Sequence, residues 1–301
     1  MPQLDFDLQA HSTWSDGEWS PADVVAGAAA AGVRLLALTD HDTVSGVDAA
    51  LAAASGRGVE VVPAVELSAL PSPDGADVHV LGYRIDHHDA GLRARLEAYR
   101  ADRELRTDRM AERLEELGLA LDRGEIERRR ASGEPVGRPH LAAAVLEHPA
   151  NQERLHAEGT AGPSEMFEAY LVPGAPAFVG RSSPTVAEAI EAIHAAGGVA
   201  VWAHPFWDDT DDAHVLATLE RFVAAGLDGV EVFYPTHTEA QVELLARRCA
   251  ELQLLQTGST DFHGPGHPLF DGFLGFELHG HEPVLGPIPG PAESSEPSSG
   301  R

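Results

Sequence analysis

Residues 5–17, DFDLQAHSTWSDG, begin as an apolar strand and end as a polar loop. Gln9 and His11 lie two positions apart, so on a strand they point to the same face. A carboxylate, Asp16, follows on the loop. An amide, an imidazole and a carboxylate gathered at a strand end call for a shared partner, and the rest of the chain repeats the pattern.

Asp40-His41-Asp42 follows RLLAL, Glu66 follows VEVVPAV, and His79 sits within DVHVLGY. His204 follows GVAVWA, and Asp261-Phe262-His263 follows LLQTGST. Taken singly, each has an ordinary explanation: a half-buried histidine, a solvated glutamate, or an aspartate capping the next helix. Together they deliver His plus carboxylate to the C-terminal ends of several strands, the edge where β/α barrels gather their active sites. Imidazole and carboxylate without thiolate suit Zn, Mn or Fe.

Between these strand ends the chain alternates short apolar runs with helices, which indicates parallel β/α units. Strands are expected at 4–9, 33–40, 59–68, 77–85, 199–204, 227–233 and 254–264, with 272–278 (GFLGFEL) closing the sheet. Ser20 and Pro21 mark a helix start, and glycines at the far ends mark the stops. From residue 89 the texture becomes rich in Arg, Glu and Leu, the pattern of charged amphipathic helices. The expected organisation is an α/β barrel formed by 1–87 and 176–281, a helical insertion at 88–175, and a disordered Pro/Gly/Ser-rich tail at 282–301.

Composition narrows the chemistry. The 301 residues carry a formal charge of −27, which repels duplex DNA unless metals reverse the local sign. The sequence contains no lysine, which excludes Schiff-base chemistry, a P-loop lysine and a metal-bridging carboxylated lysine. There is no run of 18 apolar residues and no basic-then-apolar leader, so neither a membrane span nor a secretory signal is expected. A single cysteine, Cys249, on an apolar helix face suits core packing and a reducing cytoplasm. Oligomeric state is left open.

DLQAHSTWSDG, LTDHDT, AVELS, DVHVLGY, AHP and TGSTDFHG together resemble the PHP superfamily, the polymerase and histidinol phosphatase metallohydrolases. The likeness spans 4–87 and about 176–279. GRPHLA, PAFVGRSSPTVAEAI and AAGGVAVWAHP are similar to its nucleotide phosphatase branch, which shares the helical insertion. The resemblance implies a distorted (β/α)7 barrel holding two or three divalent metals (Mn, Fe or Zn). By motif, Gln9, His11, Glu66 and Asp261 would serve one metal. Glu66 would bridge to a second with His79 and His204, and Asp16, His41 and His263 would serve a third. Asp40 and Asp42 flank a ligand and would orient it.

Two departures stand out. Gln9 replaces the first histidine of the usual His-x-His, offering a neutral, weaker ligand. After His204-Pro205, Phe206-Trp207-Asp208-Asp209 replaces the usual Gly-Arg. The expected activity is hydrolysis of a phosphate ester by a metal-activated water. The expected substrate is a small nucleotide, either a nucleoside 3',5'-bisphosphate or the 5' end of short RNA. Arg138, His140 and Arg181 are candidates for holding its phosphate. The alternatives are a histidinol- or sugar-phosphate phosphatase, a metal-binding accessory protein with a partly decayed site, and an amidohydrolase.

Overall fold

A computed structural model describes residues 4–70, 78–131, 136–180, 184–207 and 209–290. The chain runs through β1 (Phe6–Asp7), α1 (Pro21–Ala31), β2 (Leu35–Leu38), α2 (Val47–Ala54), β3 (Glu60–Ala69) and β4 (Val78–Tyr83). Five helices follow: α3 (Ala90–Glu116), α4 (Arg123–Ala131), α5 (Arg138–Leu146), α6 (Gln152–Glu158) and α7 (Pro163–Tyr170). The sheet resumes with α8 (Val186–Ala195), β5 (Val199–Trp202), α9 (Asp212–Ala224), β6 (Gly229–Phe233), α10 (Glu239–Leu252) and β7 (Leu255–Gly258).

The seven strands lie in the order in which they occur along the chain. The Leu8 N–H donates to the Gly258 carbonyl at 3.2 Å, and Ala10 bridges Phe262, so the sheet nearly closes into a barrel. The expected closing strand at 272–278 does not form. That segment lies against the barrel instead: Leu274 N–H donates to Asp7 at 2.9 Å, and Phe276 tilts against Phe6 at 5.5 Å.

One expectation about direction is corrected. β4 runs antiparallel to both β3 and β5, while the other pairs are parallel. The physical reason is the short connection from Ala69 to Val78. A parallel return needs a crossover of a dozen or more residues, usually a helix.

Helix ends follow local chemistry. The Ser20 hydroxyl caps α1, Pro21 occupies its first turn, and Gly32 ends it at φ 95°. α8 and α10 open with capping boxes, Thr185 with Glu188 and Thr238 with Gln241. α3 is shared between two cores. Leu92, Leu96 and Tyr99 pack with the barrel, whereas Met110, Ala111 and Leu114 join the core formed by the other insertion helices. Cys249 is fully buried, and burial pushes its thiol up to about 12, as expected for a packing residue.

The loose tail expected from 282 is also corrected. Val284 exchanges both backbone hydrogen bonds with Gln256, at 2.8 and 3.0 Å, and Ile288 is completely buried. Its Pro/Gly composition produces turns, while the interspersed Val, Leu and Ile provide enough apolar surface to dock. Residues 291–301 lie outside the described residues. Among the described residues no helix is long and apolar enough to cross a membrane.

Candidate metal centre

Nine side chains singled out by sequence converge on one rim of the barrel. Glu66, on β3, is fully buried at the centre of the group. Its Oε1 lies 2.7 Å from His79 Nδ1 and 3.5 Å from His204 Nε2. Its Oε2 lies 3.0 Å from His11 Nε2, 3.6 Å from His41 Nδ1, and 2.9 Å from Gln9 Nε2. Asp261 Oδ1 approaches His11 Nε2 at 3.1 Å. Asp16 lies 3.6 Å from each of His11, His41 and His263.

His79 shows how the antiparallel strand serves the site. It stands at the start of β4, not at a strand's C-terminal end. Reversal of β4 brings that start to the rim where the parallel strands finish.

The imidazoles form a continuous run. His11 stacks on His263 at 4.3 Å and tilts against His41 at 4.6 Å. His41 meets His79 at 4.9 Å, and His79 meets His204 at 5.1 Å. Burial opposes ionisation of Glu66, yet the neighbouring His41, His79 and His11 hold its carboxyl well below the usual range. Burial likewise opposes charge on His11, but Asp261 and Glu66 raise it well above the usual imidazole range. In Asp261 burial is outweighed by His11 and His263, which bring it down to about 2. Burial lowers His41 to about 4.

The arrangement fits divalent cations on its own chemistry. His11 Nε2, His41 Nδ1, Glu66 Oε1 and Asp261 Oδ1 are buried without a hydrogen bond of acceptable geometry. Unsatisfied donors and acceptors at this density are costly unless a cation takes them. Donor atoms lie within 4.8 Å of one another in three groups at this rim: His11, Asp16, His41 and His263; His41, Glu66 and His79; His11, Glu66 and Asp261.

The supporting shell was largely invisible in the sequence. Asp40 organises the first loop, accepting from the Ser12 N–H at 2.7 Å and from the Ser12 and Ser15 hydroxyls at 2.7 and 2.8 Å, and Ser15 Oγ in turn lies 3.3 Å from His11 Nδ1. Asp42, at φ 51°, accepts from the Ser68 N–H at 3.1 Å and from Arg103 of α3. Tyr234 donates to Asp261 Oδ2 at 2.9 Å, fixing the carboxylate so that Oδ1 meets His11. Asp7 accepts from the Thr260 N–H at 2.8 Å and ties β1 to the loop carrying Asp261; burial lifts it to about 6.

Glu231 is the main residue the sequence reading passed over. It is fully buried on β6 and accepts from the His204 N–H at 2.9 Å. Burial, reinforced by Asp261 and Glu66 and opposed by its Ser259 bond, pushes its carboxyl well above the usual range. Glu231 Oε1 accepts from the Ser259 hydroxyl at 2.5 Å, and the same hydroxyl oxygen lies 3.4 Å from Gln9 Oε1. The available signal was a lone carboxylate inside the apolar strand GVEVF.

Gly17 sets the loop geometry. A Cβ there would sit 2.3 Å from the His11 carbonyl oxygen, a backbone atom that cannot step aside cheaply. Gly17→Ala is therefore expected to displace Asp16 and to cost about 1–3 kcal/mol, the usual penalty for overpacking. Thermal denaturation and metal content of the variant check this, and unchanged values for both would refute it.

The proposed phosphate residues fare differently. Arg138 lies over the rings of Phe167 and Phe178, at 5.2 and 6.0 Å, and its guanidinium reaches the Leu171 carbonyl. His140 Nδ1 accepts from the Gly137 N–H and so caps α5. Both side chains are thus engaged in the packing of the helical insertion. Arg181 lies outside the described residues.

Residues 7–127 match the PHP domain family model. A "5'-3' exoribonuclease" of Haemophilus influenzae is 36% identical over 262 residues, covering 86% of this chain and 90% of its own length. A "3',5'-nucleoside bisphosphate phosphatase" of Chromobacterium violaceum is 33% identical over 260 residues, covering 86% of this chain and 87% of its own. A crystal structure described as a putative metal-dependent phosphoesterase from Bifidobacterium adolescentis superposes with a TM-score of 0.70 at 29% identity, over 90% of this chain and 93% of that one. With a buried donor cluster, a nearly closed seven-stranded barrel and relatives matched along most of its length, the chain belongs to the PHP domain family and is a phosphoester hydrolase.

Proposed function

We propose that this hydrolase acts on a small nucleotide, a nucleoside 3',5'-bisphosphate or the 5' end of a short RNA, with two or three divalent metals of the Mn, Fe or Zn type. The observation that carries the reading is the set of buried, unsatisfied atoms on His11, His41, Glu66 and Asp261 at one barrel rim. Relatives named for bisphosphate phosphatase and exoribonuclease activity support the substrate class.

His11, Glu66 and Asp261 would hold one metal, Glu66 with His79 and His204 a second, and Asp16, His41 and His263 a third. Divalent cations bound there supply Lewis-acid polarisation of phosphoryl oxygens and a water made acidic enough to attack near neutral pH. The protein's share is orientation and charge. Tyr234 aims Asp261, Asp40 fixes the loop bearing His11 and Asp16, and Arg103 steadies Asp42 beside His41. The local cations also let a chain of charge −27 accept an anion.

Gln9 has a specific place in this scheme. A carboxylate only accepts, so the Gln9 group facing Glu66 at 2.9 Å is its NH2, and its carbonyl is turned toward Ser259. Gln9 therefore supports Glu66 rather than completing the site. Gln9→His is expected to add a ligand and to tighten one metal by at least about ten-fold, the scale of a single group at a metal site. Calorimetric metal titration measures this; equal affinity and stoichiometry in both proteins would count against it.

The test of the function is metal analysis of the purified protein joined to a phosphate-release screen over nucleoside mono- and bisphosphates and 5'-phosphorylated oligoribonucleotides. Bound metal with release from a bisphosphate or an RNA 5' end is expected. Release only from histidinol or simple sugar phosphates would overturn the nucleotide assignment.

A further inference from the structure

The hydrolytic scheme gives no task to Trp207. Its N–H closes a turn on the His204 carbonyl at 2.9 Å, which places an indole three residues beyond a candidate ligand. The indole centroid lies 6.5 Å from the His204 imidazole. Tyr234 meets it edge-on at 6.3 Å, and Phe270 tilts against it at 5.5 Å. Both of these supporting rings are buried, and Tyr234 is itself anchored to Asp261.

Trp207 nevertheless leaves 44% of its surface open. An indole serving only the core would be covered, because its area is the largest apolar payload a side chain can bury. One serving only as surface would not be braced by two rings tied to the metal rim. A braced, half-open aromatic surface beside a phosphoryl-handling centre has the properties of a stacking platform. Every nucleobase presents a π-face, and a side chain already fixed loses little freedom when the base arrives.

We infer that Trp207 is the base-stacking wall of the site, so that the enzyme selects phosphate esters carrying a nucleobase over otherwise similar sugar phosphates. The position after His204-Pro205 supplies a flat apolar surface rather than a cation, so it recognises the base and leaves phosphate to the metal rim. This inference rests on the nucleotide reading above and names the residue that makes the distinction.

The test compares the metal-loaded full chain with Trp207→Ala and Trp207→Phe on adenosine 3',5'-bisphosphate and on a ribose bisphosphate lacking a base. The preference for the nucleotide, as a ratio of kcat/KM values, is expected to fall about ten-fold in Trp207→Ala, within the range of one base–aromatic stack. The loss should appear in KM, and Trp207→Phe should retain most of the preference. Independently of turnover, adenosine alone should quench the tryptophan fluorescence of the wild-type protein and leave Trp207→Phe unaffected.

An equal loss on both substrates, or no loss on either, overturns the stacking role while leaving the hydrolase intact. If the wild-type protein hydrolyses neither substrate, the nucleotide reading fails. The adenosine titration then decides the stacking role alone, and an unquenched wild type overturns it.

Discussion

Glu66→Gln is expected to abolish metal retention and to lower phosphate release by at least about a thousand-fold, an amount equivalent to roughly 4 kcal/mol of lost transition-state stabilisation. The size follows from position. Among the described residues, Glu66 is the one carboxylate that reaches His11, His41, His79 and His204 at once, at 2.7–3.6 Å. A glutamine preserves shape but removes the charge on which two proposed metal positions depend, and it turns an NH2 toward imidazole nitrogens that need an acceptor or a cation. Metal content by elemental analysis and kcat under metal saturation separate the two consequences. A variant that keeps its full metal complement and near-normal kcat would remove Glu66 from the centre of the site.

Arg103→Ala is expected to destabilise the protein by about 3–5 kcal/mol, the range found when one partner of a buried ion pair is deleted. Asp42 is fully buried, and Arg103 pairs with it while also donating to Ser68 Oγ at 3.0 Å. Removing the guanidinium leaves the carboxylate with too little compensation in a low-dielectric place. The loss also reaches the metal rim, because Asp42 follows His41 and receives the Ser68 N–H. Arg103→Lys should recover only part of the stability, since an ammonium does not reproduce the planar fork. Denaturant unfolding of the three proteins at equal metal loading measures the effect. A change below about 1 kcal/mol in Arg103→Ala, the scale of an exposed ion pair, would show that the insertion and barrel are held together elsewhere.

Arg103 also marks where sequence reading stops. Its segment, RADRELRTDR, alternates both charge signs and reads as a solvated helix. Nothing in that pattern distinguishes Arg103, which crosses to Asp42, from its neighbours, because the distinction depends on how α3 lies against the barrel. Glu231 and Tyr234 were hidden for a related reason: each is a single polar group within or just beyond an apolar strand, with a partner in the segment that follows another strand. Arg138 is a further case: a Gly-Arg-Pro-His motif suggests phosphate, and only the tertiary packing shows this guanidinium over two phenyl rings.

The strand-end residues were legible because ligand chemistry is written locally. His11, His41, Glu66, His79, His204, Asp261 and His263 each follow or interrupt an apolar run, and although one such group has ordinary uses, their recurrence at successive strands points to the rim of a barrel. Helix starts were legible for the same reason, since a cap is a contact within four residues.

By itself, then, the sequence determined the α/β class, the donor inventory and the acidic, lysine-free chemistry, all set by residue type and short spacing. Only the tertiary structure decided the reversal of β4, the docking of 282–290 and the orientation of Gln9 toward Glu66. It also decided which arginine is committed to Asp42 and the bracing of Trp207. These depend on contacts between residues distant in the chain, whose energies are set by burial and geometry that no local pattern encodes.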